Sequence, residues 1–301
     1  MTISRRRNGY ASPVRAILAI VLGLCAAALP GCMTMNFIPA GPPITAKPAP
    51  GVEVVRFPSS DGLTLEGRMY PPMKEAPKLP ENHARSVVLF CHGVQDNADC
   101  TEQAECFLAA GYRMFVFDYR GFGNSDAADL SNEGFAKDAA AALEYLRSRP
   151  DVDPSQIIIY GHSMGGVYAM AAGAAGAKAG TPVAGVISAC AFSNWWIVSN
   201  DLAPGLGFFL GGVTGPEPTD FAEQLGNTPL LIVHVHEDEL PYSHALNLMD
   251  AARKAKVPAD LYLAGTGGHV VAFWWNDELR KVMTGWARAR LDGPPQFGPQ
   301  W

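Results

Sequence analysis

Beyond residue 51 two hydrophobic rhythms alternate along the chain. Apolar runs at Val52–Phe57, Leu63–Tyr70, Ser86–Cys91, Tyr112–Asp118, Gln156–Tyr160, Val183–Cys190, Leu230–His236 and Asp260–Ala264 have strand length and predict β-strands. The first two, joined through Ser59-Ser60-Asp61-Gly62, read as an antiparallel pair. Between the later runs, apolar residues recur at helical spacing. Ser131 or Asn132 can cap a helix that carries Phe135, Ala139, Leu143 and Leu146 on one face and ends before Pro150. Ser243 can cap another with Leu246, Met249 and Ala252, and Trp275, Leu279, Val282 and Trp286 make a core-facing stripe on a last helix. Strands alternating with helices predict an α/β domain over residues 51–291, a mostly parallel sheet covered on both faces.

The N-terminal pattern is different. Arg5, Arg6 and Arg7 precede fourteen apolar residues, Ala16 to Leu29. At about 1.5 Å per residue that run is too short for roughly 30 Å of hydrocarbon, so residues 1–31 predict an export signal peptide. The sequence Leu29-Pro30-Gly31-Cys32 resembles a bacterial lipobox, which implies lipidation of Cys32. Ordinary cleavage near Ala28 and an uncleaved anchor are the alternatives. The expected product is an exported, membrane-anchored lipoprotein, at the outer membrane facing the periplasm. Residues 32–50 hold five prolines and read as a semi-rigid tether, and residues 292–301 as a loose tail.

Composition narrows the function. With 301 residues and 48% apolar content the chain can bury a large core, which excludes a disordered protein. The net charge is −6, although residues 1–31 carry four arginines and no acid, so the body is more acidic still. Such a surface repels phosphate backbones, and no nucleic-acid partner is expected. A monomer acting on a small molecule is the expected state. Four cysteines remain beyond Cys32; Cys100 and Cys106 are the pair close enough in sequence to suggest a disulfide, and buried free thiols are an equal alternative.

Chemistry concentrates at Gly161-His162-Ser163-Met164-Gly165-Gly166, directly after a strand and opening an alanine-rich helix. A G-x-S-x-G turn in that context lifts a serine hydroxyl above the sheet and leaves the next amide, Met164, free at a helix N-terminus. Serine needs a base, and the base needs an orienting acid. Among seven histidines, His269 stands in the loop Gly265-Thr266-Gly267-Gly268-His269 just past the last strand. The run Glu237-Asp238-Glu239 places a carboxylate at the end of the preceding strand, giving the chain order Ser, Asp, His. His234, His236 and Asp238 alternate along one strand and offer a metal reading of H-x-H-x-D type. That reading leaves the serine turn unexplained, so no metal or cofactor is expected. His92, His162 and Asp118 read as structural hydrogen-bonding groups.

Five motifs in order, Cys91-His92-Gly93, Asp118 to Ser125, the GHSMGG run at 161–166, His234-x-x-x-Asp238-x-x-Pro241 and Gly268-His269, resemble the α/β-hydrolase superfamily. The likeness is to its small-cap serine hydrolases related to monoacylglycerol lipases and protein depalmitoylases, and it covers about residues 52–290. Val235 departs from the glycine usual at its position. The resemblance implies an eight-stranded sheet with an antiparallel second strand, a Ser163, His269, Asp238 triad, and an oxyanion hole from the amides of Val94 and Met164. It also implies a cap insertion at about 193–228. Phe192, Trp195 and Trp196, with Phe208, Phe209 and Leu210, either line an acyl pocket there or dock the cap. The expected activity is hydrolysis of carboxylic esters, extending to acyl or lipid-like esters and thioesters. A peptidase or amidase on the same scaffold and a catalytically silent binding lipoprotein are the alternatives.

Overall fold

The computed structural model describes residues 41–202, 204 and 215–292. The signal peptide, Cys32, Phe208, Phe209, Leu210 and most of the expected tail therefore lie outside the described residues. Eight strands form one sheet: β1 (Glu53–Pro58), β2 (Thr64–Tyr70), β3 (Val87–Cys91), β4 (Arg113–Phe117), β5 (Ile157–His162), β6 (Gly185–Ala189), β7 (Leu230–Val235) and β8 (Ala259–Ala264). Their order is β1-β2-β4-β3-β5-β6-β7-β8. β2 runs antiparallel to β1 and β4, and the other pairings are parallel. This is the α/β-hydrolase fold.

The central strands β3, β5, β6 and β7 are buried at every position because both faces are covered. Leu89, Phe115 and Ile159 belong to one core, whereas Val88, Val116 and Ile158, one residue away on the same strands, belong to the other. The helices that cover the sheet are α1 (Glu105–Ala109), α2 (Asn132–Ser148), α3 (Met164–Lys178), α4 (Trp195–Leu202), α5 (Pro218–Glu223), α6 (Ser243–Lys254), α7 (Val271–Trp275) and α8 (Asp277–Leu291). Of the two possible caps on α2, Ser131 is the one used: its hydroxyl accepts the Gly134 amide at 3.1 Å. Phe135, Ala139, Leu143 and Leu146 are all buried.

Two local expectations are corrected, and of the two equal readings of the cysteines the free thiols hold. Tyr242, not Ser243, holds the cap position of α6, with no side-chain capping bond, and Leu246 is exposed while Leu248 and Met249 are buried. The stripe on the last helix is Leu279, Met283 and Trp286; Asn276 ends α7 and caps α8 by accepting the Leu279 amide, so Trp275 falls outside the stripe and is 79% exposed. Cys100 and Cys106 are free thiols. Part of the expected tether also touches the domain. Ile44 packs against the core, and Asn97 Nδ2 donates to the Pro42 carbonyl at 3.1 Å. No helix among the described residues is long and apolar enough to cross a membrane.

Strand order places the site. The chain leaves β3 toward β4 on one side and β5 toward β6 on the other, so a crevice opens at the carboxyl ends of β3 and β5. His92-Gly93 follows β3, and Ser163 follows β5.

Candidate active site

Ser163 sits between β5 and α3 at φ 57, ψ −124, a strained conformation for a residue with a side chain. Its amide donates to Ala189 O at 2.8 Å, and its carbonyl accepts from Gly166 N at 2.9 Å. The turn closes this tightly only with glycine neighbours. A β-carbon on Gly161 would strike the Gly165 carbonyl, and one on Gly165 would strike the Cys91 carbonyl. That second contact brings the start of α3, with the Met164 amide, against the loop after β3. On this loop Gly93 lies near Ser163: a β-carbon there would be 3.8 Å from Ser163 Cβ. Val94, the next residue, is partly exposed at the same loop.

β7 and β8 are neighbours, and the residues beyond their ends meet. His269 Nδ1 donates to both Asp238 carboxylate oxygens at 2.9 Å, leaving Nε2 as the other ring nitrogen. The Leu240 amide also donates to Asp238 Oδ1, at 2.7 Å. Burial pushes the Asp238 carboxyl up, but the His269 hydrogen bond and charge, the Cys190 thiol and the Leu240 amide outweigh it and hold the pKa below the ordinary carboxylate value. The Asp238 side chain is fully buried and that of His269 is 20% exposed. His162 braces the loop from below: its Nε2 donates to the His269 carbonyl at 2.7 Å, and its ring lies 4.8 Å from the His269 ring and from Phe273. Burial first, then the nearby His269, press the His162 pKa down to about 3, so it stays neutral. The Ser163 hydroxyl makes no hydrogen bond to His269 among the described residues, and such bonds are often long before substrate binds.

The supporting histidine and aspartate have structural surroundings. His92 is buried and donates from Nδ1 to its neighbour's carbonyl at 2.8 Å, with burial lowering its pKa to about 4. Asp118 accepts the Ala98 amide at 2.7 Å and the Ser125 hydroxyl bonds its carbonyl at 2.7 Å, while burial raises its pKa to about 6.

The alternating metal pattern does not survive the geometry. β7 ends at Val235, and His236 is exposed, its ring 4.7 Å from Tyr242. The buried set is instead Cys190, His234 and Asp238, whose ligand atoms lie within 4.8 Å of one another. Cys190 was not legible as a site residue. It directly follows β6 at φ 47, and burial together with Asp238 drives its thiol well above the ordinary value, so it stays protonated beside the carboxylate. As a donor set S, N and O atoms could hold a borderline-soft ion, but Asp238 is already committed to His269.

The cap aromatics divide. Phe192 and Trp195 are buried with rings 4.7 Å apart, and the Trp195 ring lies 6.4 Å from that of Tyr168 and donates from Nε1 to Pro216 O at 3.0 Å. These contacts dock the cap. Trp196, next in sequence, is 54% exposed on α4.

Comparison with known proteins follows the same line. The model of the family described as serine aminopeptidase, S33 matches residues 82–215. The protein YfhR of Escherichia coli O157:H7, itself described as uncharacterized, is 29% identical over 223 residues, 73% of this chain and 74% of that protein. The quorum-quenching protein AidA of Acinetobacter baumannii is 32% identical over 155 residues, 50% of this chain and 47% of that one. Among solved structures, the Pyrococcus furiosus esterase Pf2001 aligns with TM-score 0.67 at 15% identity, covering 85% of this chain and 99% of that one. An acylaminoacyl peptidase of Pyrococcus horikoshii aligns with TM-score 0.61 at 17% identity, covering 83% and 43%. By these matches the chain shares the α/β-hydrolase fold of solved esterases and peptidases, and it is similar in sequence to the serine aminopeptidase family over residues 82–215.

Proposed function

We propose that the protein is a serine hydrolase that cleaves carboxylic esters through an acyl-enzyme formed on Ser163. The observation that carries this reading is the His269 Nδ1 bond to buried Asp238, at a crevice shared with a serine held at positive φ on a helix N-terminus. Ser163 Oγ attacks the substrate carbonyl carbon while its proton passes to His269 Nε2, and Asp238 stabilises the imidazolium. The amides of Met164 and Val94 receive the oxyanion. Collapse breaks the bond to the leaving alkoxide, which takes the proton from His269. Water, deprotonated by the same imidazole, then releases the acid and restores the serine.

The test is labelling by a fluorophosphonate probe, followed by hydrolysis of p-nitrophenyl esters of increasing acyl length. Labelling at Ser163 with ester turnover is the expected result. Folded protein that takes no label would support a silent binding module instead. The serine aminopeptidase family match favours a second reading, a peptidase, which a preference for aminoacyl amides over esters would select. We also place the enzyme at a membrane through lipidated Cys32; Cys32→Ser should move it from the membrane fraction to the soluble one.

A further inference from the structure

Asp96 belongs to the loop that follows β3, and no step above uses it. A β-carbon on Gly93 would stand 3.0 Å from Asp96 Oδ2 and 3.8 Å from Ser163 Cβ. The carboxylate and the proposed nucleophile therefore both lie within 4 Å of a single point at the crevice. The loop is pinned: the Ala98 amide donates to Asp118 at 2.7 Å, the Asp99 amide to Asn97 Oδ1 at 2.9 Å, and Asn97 Nδ2 to Pro42 O at 3.1 Å. Gln95, just before it, is held at φ 67. Burial raises the Asp96 pKa, Glu102 adds to that, and the Gly93 amide, the Cys100 thiol and His269 favour the charged form.

We propose that Asp96 determines specificity by charge: its carboxylate admits neutral or cationic acyl esters and repels substrates carrying a negative charge near the scissile carbonyl. This inference rests on the hydrolase reading and names the substrate class of that site. The physical basis is Coulomb repulsion across a partly desolvated cleft, where the effective dielectric is about 20 and a like charge a few ångströms away is felt strongly. The same carboxylate opposes the oxyanion for every substrate alike, so only the ratio between substrates isolates the filter.

The experiment compares kcat/KM of the full chain for three p-nitrophenyl esters of similar length: butyrate, hemisuccinate and 4-aminobutyrate. The wild type should cleave the hemisuccinate at least tenfold less efficiently than the butyrate, and added salt should narrow the gap. Asp96→Asn, and Asp96→Ser as a second neutral variant, should shrink that ratio at least tenfold and weaken any preference for the amino ester. Asp96→Glu should preserve the wild-type ratio. A ratio that neither neutral variant moves, or a wild type indifferent to charge, overturns the filter alone. No turnover of any ester by the wild type overturns the hydrolase reading and the filter with it.

Discussion

The described residues contain two groupings of serine, histidine and aspartate, and they differ in everything except residue type. In one, His269 donates to Asp238 beside Ser163. In the other, His244 Nε2 donates to Asp201 at 3.0 Å, while its Nδ1 accepts the Ser193 amide at 3.1 Å and lies 3.0 Å from the Ser193 hydroxyl. Ser193 and His244 are both fully inside the fold, and the Ser193 oxygen also accepts Asn247 Nδ2 at 3.2 Å. That second group ties the end of β6 to α4 and α6. Ser163 differs in that it heads a long helix at a strained φ beside the open crevice. The difference teaches that a hydrogen-bonded serine, histidine and aspartate triple does not by itself mark a nucleophile, since the same residue types also build a buried cross-link.

The largest effect should come from removing the proposed nucleophile. Ser163→Ala should lower ester turnover about 10⁴-fold or more and abolish fluorophosphonate labelling, leaving the melting temperature unchanged, since alanine keeps the β-carbon and the same backbone strain. Residual turnover near wild type would dissolve the distinction between the two groups. Next comes the acid. Asp238→Asn keeps the shape but can no longer hold the Nδ1–H tautomer as a carboxylate does, and kcat should fall about 10³–10⁴-fold. Asp201→Asn, the matching change in the other group, should leave kcat within about threefold.

The pH dependence of stability sharpens the contrast between neutral buried histidines and charged partners. His162, with its pKa pressed to about 3, and His92, at about 4, refuse in the native state a proton that the unfolded chain accepts below about 6.5. Stability is therefore lost as pH falls from 6.5 toward 4, each group contributing up to about 3 kcal/mol across the window. Asp118 acts oppositely. Its pKa is raised to about 6, so the native state holds a proton that the unfolded chain releases above about 4, and stability rises as pH falls through that interval. Urea midpoints between pH 7 and 4.5 should fall on balance, and Asp118→Asn should steepen the fall. A flat profile in both proteins would mean that the two histidines are protonated in the folded state.

The two groups also differ in how far the sequence discloses them. Strand boundaries follow from apolar runs that two buried faces require, as at Val87–Cys91 and Ile157–His162. The placement of Asp238 and His269 follows from adjacency, because carboxyl ends of neighbouring parallel strands lie side by side. Ser193, His244 and Asp201 carry no such local signature; their meeting depends on how α4 packs on α6. Cys190 and Asp96 were hidden for a related reason. The thiol reads as one more apolar residue at a strand end, and Asp96 as an ordinary loop acid, until tertiary packing sets them against Asp238 and Ser163. Trp275 misleads in the other direction, since helical spacing continues across Asn276 while the helix itself restarts there.

The smallest predicted effect is the most discriminating. Ser193→Ala deletes a hydroxyl that the His244 ring and Asn247 share, but the Ser193 amide still reaches Nδ1 and Asp201 still holds Nε2. One buried hydrogen-bonding group is lost without stranding a charge, so stability should drop by about 1 kcal/mol. For a domain of this size that corresponds to a melting temperature lower by about 2–4 °C. Ester turnover should stay within about twofold. The sharper readout is chemical: in Ser163→Ala protein, digestion and mass spectrometry after fluorophosphonate treatment should find Ser193 unmodified. Its side chain is buried, and its hydroxyl is already shared with the His244 ring and Asn247 Nδ2. Phosphonylated Ser193 would show that access, the property on which the comparison turns, is not what separates the two groups.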